Sequence, residues 1–363
     1  MDNNGMVGPQ RVEPACCLSK HLRYPSVILL TEVSEGAASL EQPQSLGRIA
    51  AIPIPRHFYE RCSVRATLFT LTNVAVVLAA GPVSYAIDSL PVYVVAFVLV
   101  GARAQALYIL QHECMHWLLY KTRRANDLCG MLLSGILGTG LSFGRFYHFK
   151  HHRLVGHADD PNMIWHDSRL HPPGWSTFWF FAAQLAGSRV FKLLTRRYHA
   201  NSTQAQLMIP NPVGSRNMVV DLLATGTVQA LIFAGIWQAS SWWVYFAFLF
   251  VPLVTLTSFL EAVRSFSEHV LPGEHGASAA EDSRLFFMDA GAVERFFFSQ
   301  FGFHFHHLHH LYPGVVTFKL RSLHGWLGEN DGFYPAKFVR RDGYVRTAVR
   351  YILRQPLVSR DAV

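Results

Sequence analysis

Four long apolar segments constrain the fold of this chain more than any other feature. They run over about residues 66–87, 91–110, 218–237 and 242–262. Each is close to the ~20 residues with which a helix crosses a ~30 Å hydrocarbon core. The sequence therefore predicts an all-α integral membrane protein, with four transmembrane helices arranged as two hairpins.

The composition favours a membrane protein over a series of soluble domains. Only 15% of the 363 residues are charged, which is well below the roughly 25% of soluble globular domains. The formal net charge of +8 is compatible with nucleic acid or with an anionic membrane surface. Because the apolar segments are so long, we interpret the charge as contact with the cytoplasmic face of a membrane and expect no nucleic-acid partner.

The distribution of Lys and Arg predicts the orientation of the helices. The two short links between paired apolar segments, 88–90 and 238–241, contain neither residue, whereas the other connecting segments are rich in both. Positively charged loops stay on the cytoplasmic side. We therefore expect both termini, the middle loop and the C-terminal region in the cytoplasm. Trp237, Trp242 and Trp243 lie where an interfacial belt of aromatic residues is expected.

The remaining segments predict a simple organisation around the membrane domain, 56–327. Residues 1–55 are polar and lack the pattern of a signal peptide, so we interpret them as a cytoplasmic tail. Residues 328–363 read as a basic C-terminal cytoplasmic segment. A fifth apolar stretch, 128–143, is short and contains four glycines. It indicates an interfacial or re-entrant element rather than a span.

Histidines are concentrated in three short motifs near the ends of apolar segments. The first motif contains two histidines that are four residues apart and therefore share one face of a helix. The other two motifs have the spacing i, i+3, i+4, which places three imidazoles on one face. A further histidine follows the fourth apolar segment. The nine residues are His112 and His116, then His148, His151 and His152, then His269, and finally His306, His309 and His310.

Nine imidazoles are too many for one four-coordinate zinc ion. They suit two metal ions of higher coordination number, each with an open position. Neutral imidazole is the commonest metal ligand at physiological pH, and nitrogen ligation without thiolate favours iron over a site for softer metals. Two irons beside an apolar helical bundle indicate activation of O2 and attack on a C–H bond of a hydrophobic substrate.

A membrane metalloprotease is one alternative. The segment from His112 to His116 has the sequence H-E-C-M-H, which matches the HExxH zinc motif with Glu113 as general base. This function would leave the other two histidine motifs without a role. We therefore interpret Glu113 as a carboxylate that orients a ligand imidazole.

A metal transporter is the alternative outside the enzymes. Transporters place ionisable residues near the middle of their spanning segments. The four apolar segments contain few such residues, among them Arg103, Asp221 and Glu261, and the histidines lie outside the segments. The pattern favours an enzyme. Substitution of His151 should abolish substrate oxidation in an enzyme and change metal flux in a transporter.

Four further residues are candidates for supporting the ligands. Asp159 and Asp160 follow the second motif and either accept N–H groups of ligand imidazoles or start a turn at Pro161. His304 and His307 lie within the third motif but off its i, i+3, i+4 face. This position indicates a structural role or one in holding the ligands.

The three motifs, H-x3-H, H-x2-H-H and H-x2-H-H, together resemble those of the membrane fatty acid desaturase superfamily. The order and spacing match over residues 56–327, and the pattern is most similar to that of bacterial-type acyl desaturases. Further matching positions are Asn126-Asp127 with Gly130, Asp159-Asp160-Pro161, Arg264 with Glu268-His269, and Leu311-Tyr312-Pro313-Gly314.

This resemblance implies a four-helix membrane fold whose cytoplasmic helical cap holds a non-haem di-iron site. It implies O2-dependent introduction of a double bond into an acyl chain, with the nine histidines as iron ligands. It adds Asn126, Arg264 and Glu268 as residues that support them. It also favours a bacterial inner membrane over the endoplasmic reticulum.

Two departures leave a hydroxylase or a carotenoid-type ketolase of the same superfamily as alternatives. His304 stands where relatives often have Asn, and the first motif has the three-residue spacer that hydroxylases and ketolases share. Arg264 with Glu268-His269 favours a desaturase. The position of the substrate decides between these reactions, and the histidines do not encode it.

Electrons are expected from a separate protein. No G-x-G-x-x-G fingerprint follows a predicted strand, and no electron-donor domain is recognisable in the sequence. The expected donor is ferredoxin, or cytochrome b5 with its reductase. Basic residues such as Arg145 and Lys150 could dock an acidic carrier, or they reflect topology and contact with anionic lipids.

Overall fold

The computed structural model describes residues 51–155, 160–162, 165, 170–188, 215–269, 285–332, 334 and 338–357. Nearly all of the tail predicted over 1–55 lies outside these residues, and so does Asp159. The described residues between 51 and 357 all belong to one compact unit. The C-terminal residues that the structure describes therefore belong to the same unit as the membrane domain.

The described part of the chain is mostly helical. Two turns of 3-10 helix, Arg56–Tyr59 and Gln300–Phe305, precede the first and the ninth helix. The helices are α1 (Ser63–Ile87), α2 (Leu90–Met115), α3 (Arg123–Leu137), α4 (Leu141–Leu154), α5 (Trp175–Leu185), α6 (Ser215–Ala239), α7 (Trp242–His269), α8 (Ala292–Phe297), α9 (His306–Leu311), α10 (Thr317–Asn330) and α11 (Tyr344–Ile352).

Four of these helices are long and apolar enough to cross a membrane, which confirms the four apolar helices that the sequence predicts. The candidate spans are Arg56–Ile87, Leu90–Met115, Asn217–Ala239 and Trp242–His269. The second and fourth continue for one to two turns beyond the predicted ends at 110 and 262. His112 and His269 therefore lie on the long helices themselves.

Short links join the candidate spans in pairs, and the two links lie close to each other. Only residues 88–89 separate α1 from α2, and only 240–241 separate α6 from α7. The ring of Trp243, just after the second link, lies 5.8 Å from that of Tyr85 and 6.4 Å from that of Tyr93. Since α2 and α7 both begin at these links, both carry their histidines at the opposite end.

Helices α3 and α4 form one apolar stretch that is broken by a bend of 101°. Gly138 ends α3 with a φ of 68°, in the left-handed region that glycine adopts without strain. Its amide bonds back to the carbonyls of Ser134 and Gly135. The break falls inside 128–143, the stretch for which the glycines predict an interfacial or re-entrant element.

A small parallel sheet, which the sequence does not predict, accompanies the mostly helical fold. Strand β1 (Leu285–Met288) pairs with β2 (Phe338–Arg341), with Phe286 opposite Val339. Each strand has only four residues and the two are far apart in the sequence. No local alternation of apolar and polar residues therefore reveals them.

Three apolar clusters hold these elements together. One lies between the spans and includes Leu107, Leu133 and Leu249. A second joins α5, α7, β1 and α11, and a third packs α9 against α10 through Leu308 and Leu320. The motif on α9 is thus supported from outside the membrane bundle, and the motifs on α2 and α7 by the bundle itself.

Gly135 marks a close approach of α3 and α6. A Cβ atom at this position would lie 2.7 Å from Cβ and 2.8 Å from Cγ2 of Val228. Val228 is branched at Cβ and has little rotamer freedom with which to move away. Small residues commonly allow membrane helices to approach this closely.

We expect Gly135→Ala to destabilise the purified protein by about 1–3 kcal/mol, the usual cost of overpacking. Thermal unfolding in detergent, followed by size-exclusion chromatography, measures the effect. Gly226→Ala on α6 is the matched control, because no atom lies within 4 Å of its added Cβ. Equal melting temperatures for the two variants would contradict this packing.

Candidate metal centre

Nine histidines from four helices converge at one end of the bundle. They come from the C-terminal ends of α2, α4 and α7 and from α9. The structure sorts them into two groups, and within each group one nitrogen per residue lies within 4.8 Å of all the others. The five-histidine group contains His112, His116, His148, His152 and His309, and the four-histidine group contains His151, His269, His306 and His310.

Four imidazoles of the five-histidine group form a closed ring of Nε2 atoms. The Nε2 of His148 lies 2.7 Å from that of His116 and 2.9 Å from that of His152. The Nε2 of His309 lies 3.1 Å from that of His116 and 3.0 Å from that of His152. Atoms spaced in this way lie about 2 Å from their common centre, which is the length of a metal–imidazole bond.

The four-histidine group is equally compact. The Nε2 of His310 lies 2.9 Å from that of His306 and 3.4 Å from that of His269. The ring of His151 has its centroid 5.0 Å from those of His269 and His310. His310 also stacks on His152 at 4.4 Å between centroids, so the two groups adjoin.

The division into groups refines the prediction that each i, i+3, i+4 motif presents one face. On α4, His148 and His152 belong to the five-histidine group and His151 to the other. Consecutive residues on an α-helix are about 100° apart, so His151 and His152 diverge. The motif on α9 divides in the same way, and each of these helices serves both groups.

Glu113 is buried, and both of its carboxyl oxygens are engaged. Oε1 lies 3.2 Å from Nδ1 of His112, and Oε2 accepts the amide of Thr317 at 3.0 Å. The contact with His112 has the form expected of a carboxylate that orients a ligand imidazole.

Asp160 combines the two roles that the sequence leaves open. Both of its carboxyl oxygens lie 2.9 Å from Nδ1 of His151, and Oδ1 also accepts the amide of Asn162 at 2.8 Å. It therefore holds an imidazole and starts the turn at Pro161. Because the oxygens accept, Nδ1 of His151 carries the hydrogen and Nε2 carries the lone pair.

Burial keeps the imidazoles neutral. It lowers the pKa of His116, His306, His309 and His310 well below the ordinary value, and neighbouring histidines lower it further. A neutral imidazole has a lone pair for a metal ion. Lone pairs at hydrogen-bond distance repel one another unless a cation lies between them.

The surroundings of one ring nitrogen show whether this site fits metal ions. The Nε2 of His112 is buried and has no hydrogen-bond partner among the described residues. The ring itself lies within the five-histidine group, with its centroid 4.3 Å from that of His148 and 4.4 Å from that of His309. A buried, unsatisfied acceptor is costly, and a metal ion in the group would satisfy it.

A charged network borders the four-histidine group. Arg264 contacts carboxyl oxygens of Glu261 and Glu268, each at 2.6 Å. Tyr344 donates to the other oxygen of Glu268 at 2.9 Å, and Oε2 of Glu268 lies 3.9 Å from Nε2 of His306. Arg264 and Glu268, which the family resemblance singles out, thus lie beside the histidines.

Arg145 supports the end of α2, a role that sequence reasoning misses. Its guanidinium donates to the carbonyls of Cys114 and Met115, each at 3.0 Å, and to Asp127 at 2.7 Å. Cationic side chains commonly satisfy the last carbonyls of a helix. The available signal is its position, three residues before His148 on the helix that packs against α2.

Three other candidates lie outside both groups. Asn126 donates its amide to carbonyls of the loop 120–122, which follows the first motif. The Nε2 of His307 lies 3.1 Å from the hydroxyl of Tyr334. His304 is buried beside Phe305, and burial lowers its pKa to about 4. Their contacts indicate support of the surrounding loops.

A cavity of about 280 Å³ reaches both groups. Histidines of each group form part of its wall, and residues of the α3–α4 break form another part. It is large enough for a short segment of substrate beside histidines of both groups. Its lining includes His112, His148, His151, His269, His306, Tyr108, Gln111, Thr139, Gly140, Phe143, Trp165, Glu261 and Arg264.

A family model for fatty acid desaturases matches residues 88–341 of this chain. The match covers well over half of the sequence and includes all nine histidines. The chain belongs to the fatty acid desaturase family. The family match confirms the resemblance that the histidine motifs carry.

Two curated members of this desaturase family match shorter parts of the chain. A protein named probable fatty acid desaturase from Sorghum bicolor is 29% identical over 124 residues, which are 34% of this chain and 31% of that protein. An omega-3 fatty acid desaturase of the endoplasmic reticulum from Vigna radiata var. radiata is 26% identical over 106 residues, 29% of this chain and 28% of that protein. The matched region spans about a third of the length of these relatives.

Proposed function

We propose that this protein uses O2 to introduce a double bond into an acyl chain, with one iron ion held by each histidine group. The observation that carries the proposal is the pair of adjoining histidine groups in a chain of the desaturase family. Nitrogen ligation without thiolate favours iron. The cavity beside both groups gives the substrate access to them.

The reaction balances as a four-electron reduction of O2. Two hydrogens leave neighbouring carbons of the acyl chain, and a carrier supplies two electrons with two protons from solvent. One O2 then yields two waters and one double bond. When bound, the irons supply the activation of O2.

The chain's own residues prepare and support this site. Glu113 and Asp160 fix the tautomers of His112 and His151 through their Nδ1 atoms. Burial keeps the rings unprotonated, and Arg264 balances the buried carboxyl of Glu268. The cavity aligns a segment of the acyl chain with both groups.

Partners and orientation are part of the same proposal. The substrate is an acyl lipid taken from the membrane, and the electrons come from a separate ferredoxin or from cytochrome b5 with its reductase. The histidines and both termini face the cytoplasm of a bacterial cell. The links 88–89 and 240–241, which lack Lys and Arg, lie on the opposite side, as the positive-inside rule requires.

Lipid and pigment mass spectrometry of a host that expresses this chain tests the reaction. We expect an acyl product two hydrogens lighter than its precursor, absent from cells with the empty vector. A product one oxygen heavier would show a hydroxylase, and a ketone would show a ketolase. Either would overturn desaturation while leaving the family intact.

We expect Glu113→Gln to weaken metal binding by about 10- to 100-fold, the usual effect of losing an outer partner of a ligand. Glu113 accepts from both His112 and Thr317, and a Gln side chain has only one acceptor oxygen for these two donors. Metal affinity of the purified protein, measured by competition with a chelator, checks this. Wild-type affinity would show that Glu113 does not orient His112.

A further inference from the structure

The break between α3 and α4 interrupts the hydrogen bonding of the backbone. A bend of 101° leaves carbonyls at the end of α3 and amides at the start of α4 without partners in their own helices. Lipid cannot satisfy such groups, so other parts of the protein must do so. The Gly138 amide satisfies part of this need, and side chains of α6 satisfy a further part.

The carbonyl side of the break is satisfied by two polar residues of α6. The Nε2 of Gln229 donates to the carbonyls of Gly135 at 2.6 Å and Ile136 at 3.0 Å. The hydroxyl of Thr225 donates to the carbonyl of Thr139 at 2.7 Å. These bonds fix the end of α3 and the turn that follows it.

The amide side is capped by Asp221, one turn earlier on α6. Its Oδ2 accepts the amides of Ser142 at 2.8 Å and Phe143 at 3.2 Å, and its Oδ1 accepts the hydroxyl of Ser142 at 3.1 Å. An oxygen that accepts the first amides of a helix is an N-cap, here supplied by another helix. A Cβ atom on Gly140 would lie 2.8 Å from Oδ2, so the approach depends on that glycine.

The three α6 residues form one stripe, since positions i, i+4 and i+8 lie on the same face of a helix. Tyr245 of α7 donates to Oε1 of Gln229 at 2.6 Å, which orients this end of the stripe. Among the described residues, α6 contributes no member to either histidine group and none to the cavity lining. Its action on the centre is therefore indirect.

The break is also tied to the first histidine motif. Gln111 precedes His112, and its Nε2 donates to the hydroxyls of Ser134 at 2.6 Å and Thr139 at 2.8 Å. Gln111, Thr139 and Gly140 line the cavity together with the histidines. One turn of chain is thus bonded to α6 on one side and to the metal-site helix α2 on the other.

We propose that Asp221, Thr225 and Gln229 are positioning residues: by fixing the α3–α4 break, they set the place of the α4 histidines and of the cavity wall. The effects on metal content and on catalysis rest on the function proposed above, whereas the effect on amide exchange does not. Helix α4 is continuous from its capped start to His148, His151 and His152, so the cap acts on both histidine groups.

This role also accounts for an ionisable residue inside a span. An intramembrane Asp commonly marks an ion pathway, which is the feature a transporter would require. The carboxyl oxygens of Asp221 instead accept backbone and hydroxyl groups of 142–143. This arrangement favours a structural cap over a transport site.

The test compares Asp221→Leu with Asp221→Asn in protein purified from iron-supplied cells. We expect Leu to speed amide exchange over 139–146 by about tenfold, as loss of an N-cap does, and to lower the metal content to less than half. Asn keeps an acceptor oxygen and should restore both readouts to near wild type. Equal impairment of the two variants, or wild-type behaviour of Asp221→Leu, would overturn the proposal.

A second pair of variants decides the matter if Asp221→Leu fails to fold. Thr225→Val removes the neutral hydrogen bond to the carbonyl of Thr139. Thr227→Val is the same substitution at an exposed position on the same helix. Only Thr225→Val should raise exchange over 139–146 and reduce metal content; identical results for the pair would count against the stripe. Intact exchange and metal content without an oxidised lipid would instead point to failure of the proposed function.

Discussion

Replacement of His309 by Ala is expected to abolish oxidation of the acyl chain while leaving part of the metal in place. Its Nε2 contacts those of His116 and His152, two other members of the Nε2 ring. Turnover should fall by more than about 100-fold, because residues that only support ligands are already worth 10- to 100-fold. The four-histidine group should keep its ion, so the metal content should fall by about one ion per chain.

His310→Ala makes the complementary test, because His310 belongs to the four-histidine group. It should also abolish turnover and remove the other ion. His57→Ala is the control, since His57 is exposed and lies outside both groups. Product formation by mass spectrometry and metal content by elemental analysis provide the readouts. Full turnover in either variant would rule out the assignment of that histidine as a ligand.

Arg264→Met is expected to produce the largest loss of stability. It leaves the carboxyl groups of Glu261 and Glu268 without their cation near the end of α7, the fourth candidate span. Removal of one partner from a buried ion pair costs about 3–5 kcal/mol. We expect the lower end, about 3 kcal/mol, because the side chains of Arg264 and Glu261 are 12% and 22% exposed.

Arg346→Met is the matched control for this loss of charge. Arg346 lies 3.6 Å from Asp342, but its side chain is 64% exposed, and exposed ion pairs contribute about 0–1 kcal/mol. Thermal unfolding of the purified variants in detergent compares the two. Similar melting temperatures would show that Arg264 is not the centre of a buried network.

Local patterns in the sequence predict four apolar helices, which the structure confirms, and nine histidines, which the structure brings together in two groups. A bilayer imposes a length on every spanning helix, so four apolar segments of that length predict four helices. Ligand spacing is equally local, because one helical turn brings His112 next to His116 and His148 next to His152. The glycines of 128–143 likewise predict an interrupted element, since Gly138 supplies the conformation that ends α3.

The remaining features depend on contacts between residues that are distant in the sequence. In the sequence, Arg145 looks like a cation in a loop and Asp221 looks like an isolated residue in a span. In the structure α4 contacts both α2 and α6, and these contacts give the two residues their roles. The division of the i, i+3, i+4 motifs follows from which helices face α4 and α9, which no spacing encodes. The β1–β2 sheet is missed for the same reason, because neither short strand is recognisable without its partner.

The metal content of the purified wild-type protein tests the proposed pair of iron sites most directly. Elemental analysis should find two iron ions per chain, one for each histidine group, with little zinc or copper. One zinc ion per chain would contradict the di-iron site and revive a hydrolytic function. Two irons, each lost separately with His309 or His310, would establish that the two histidine groups are two metal sites.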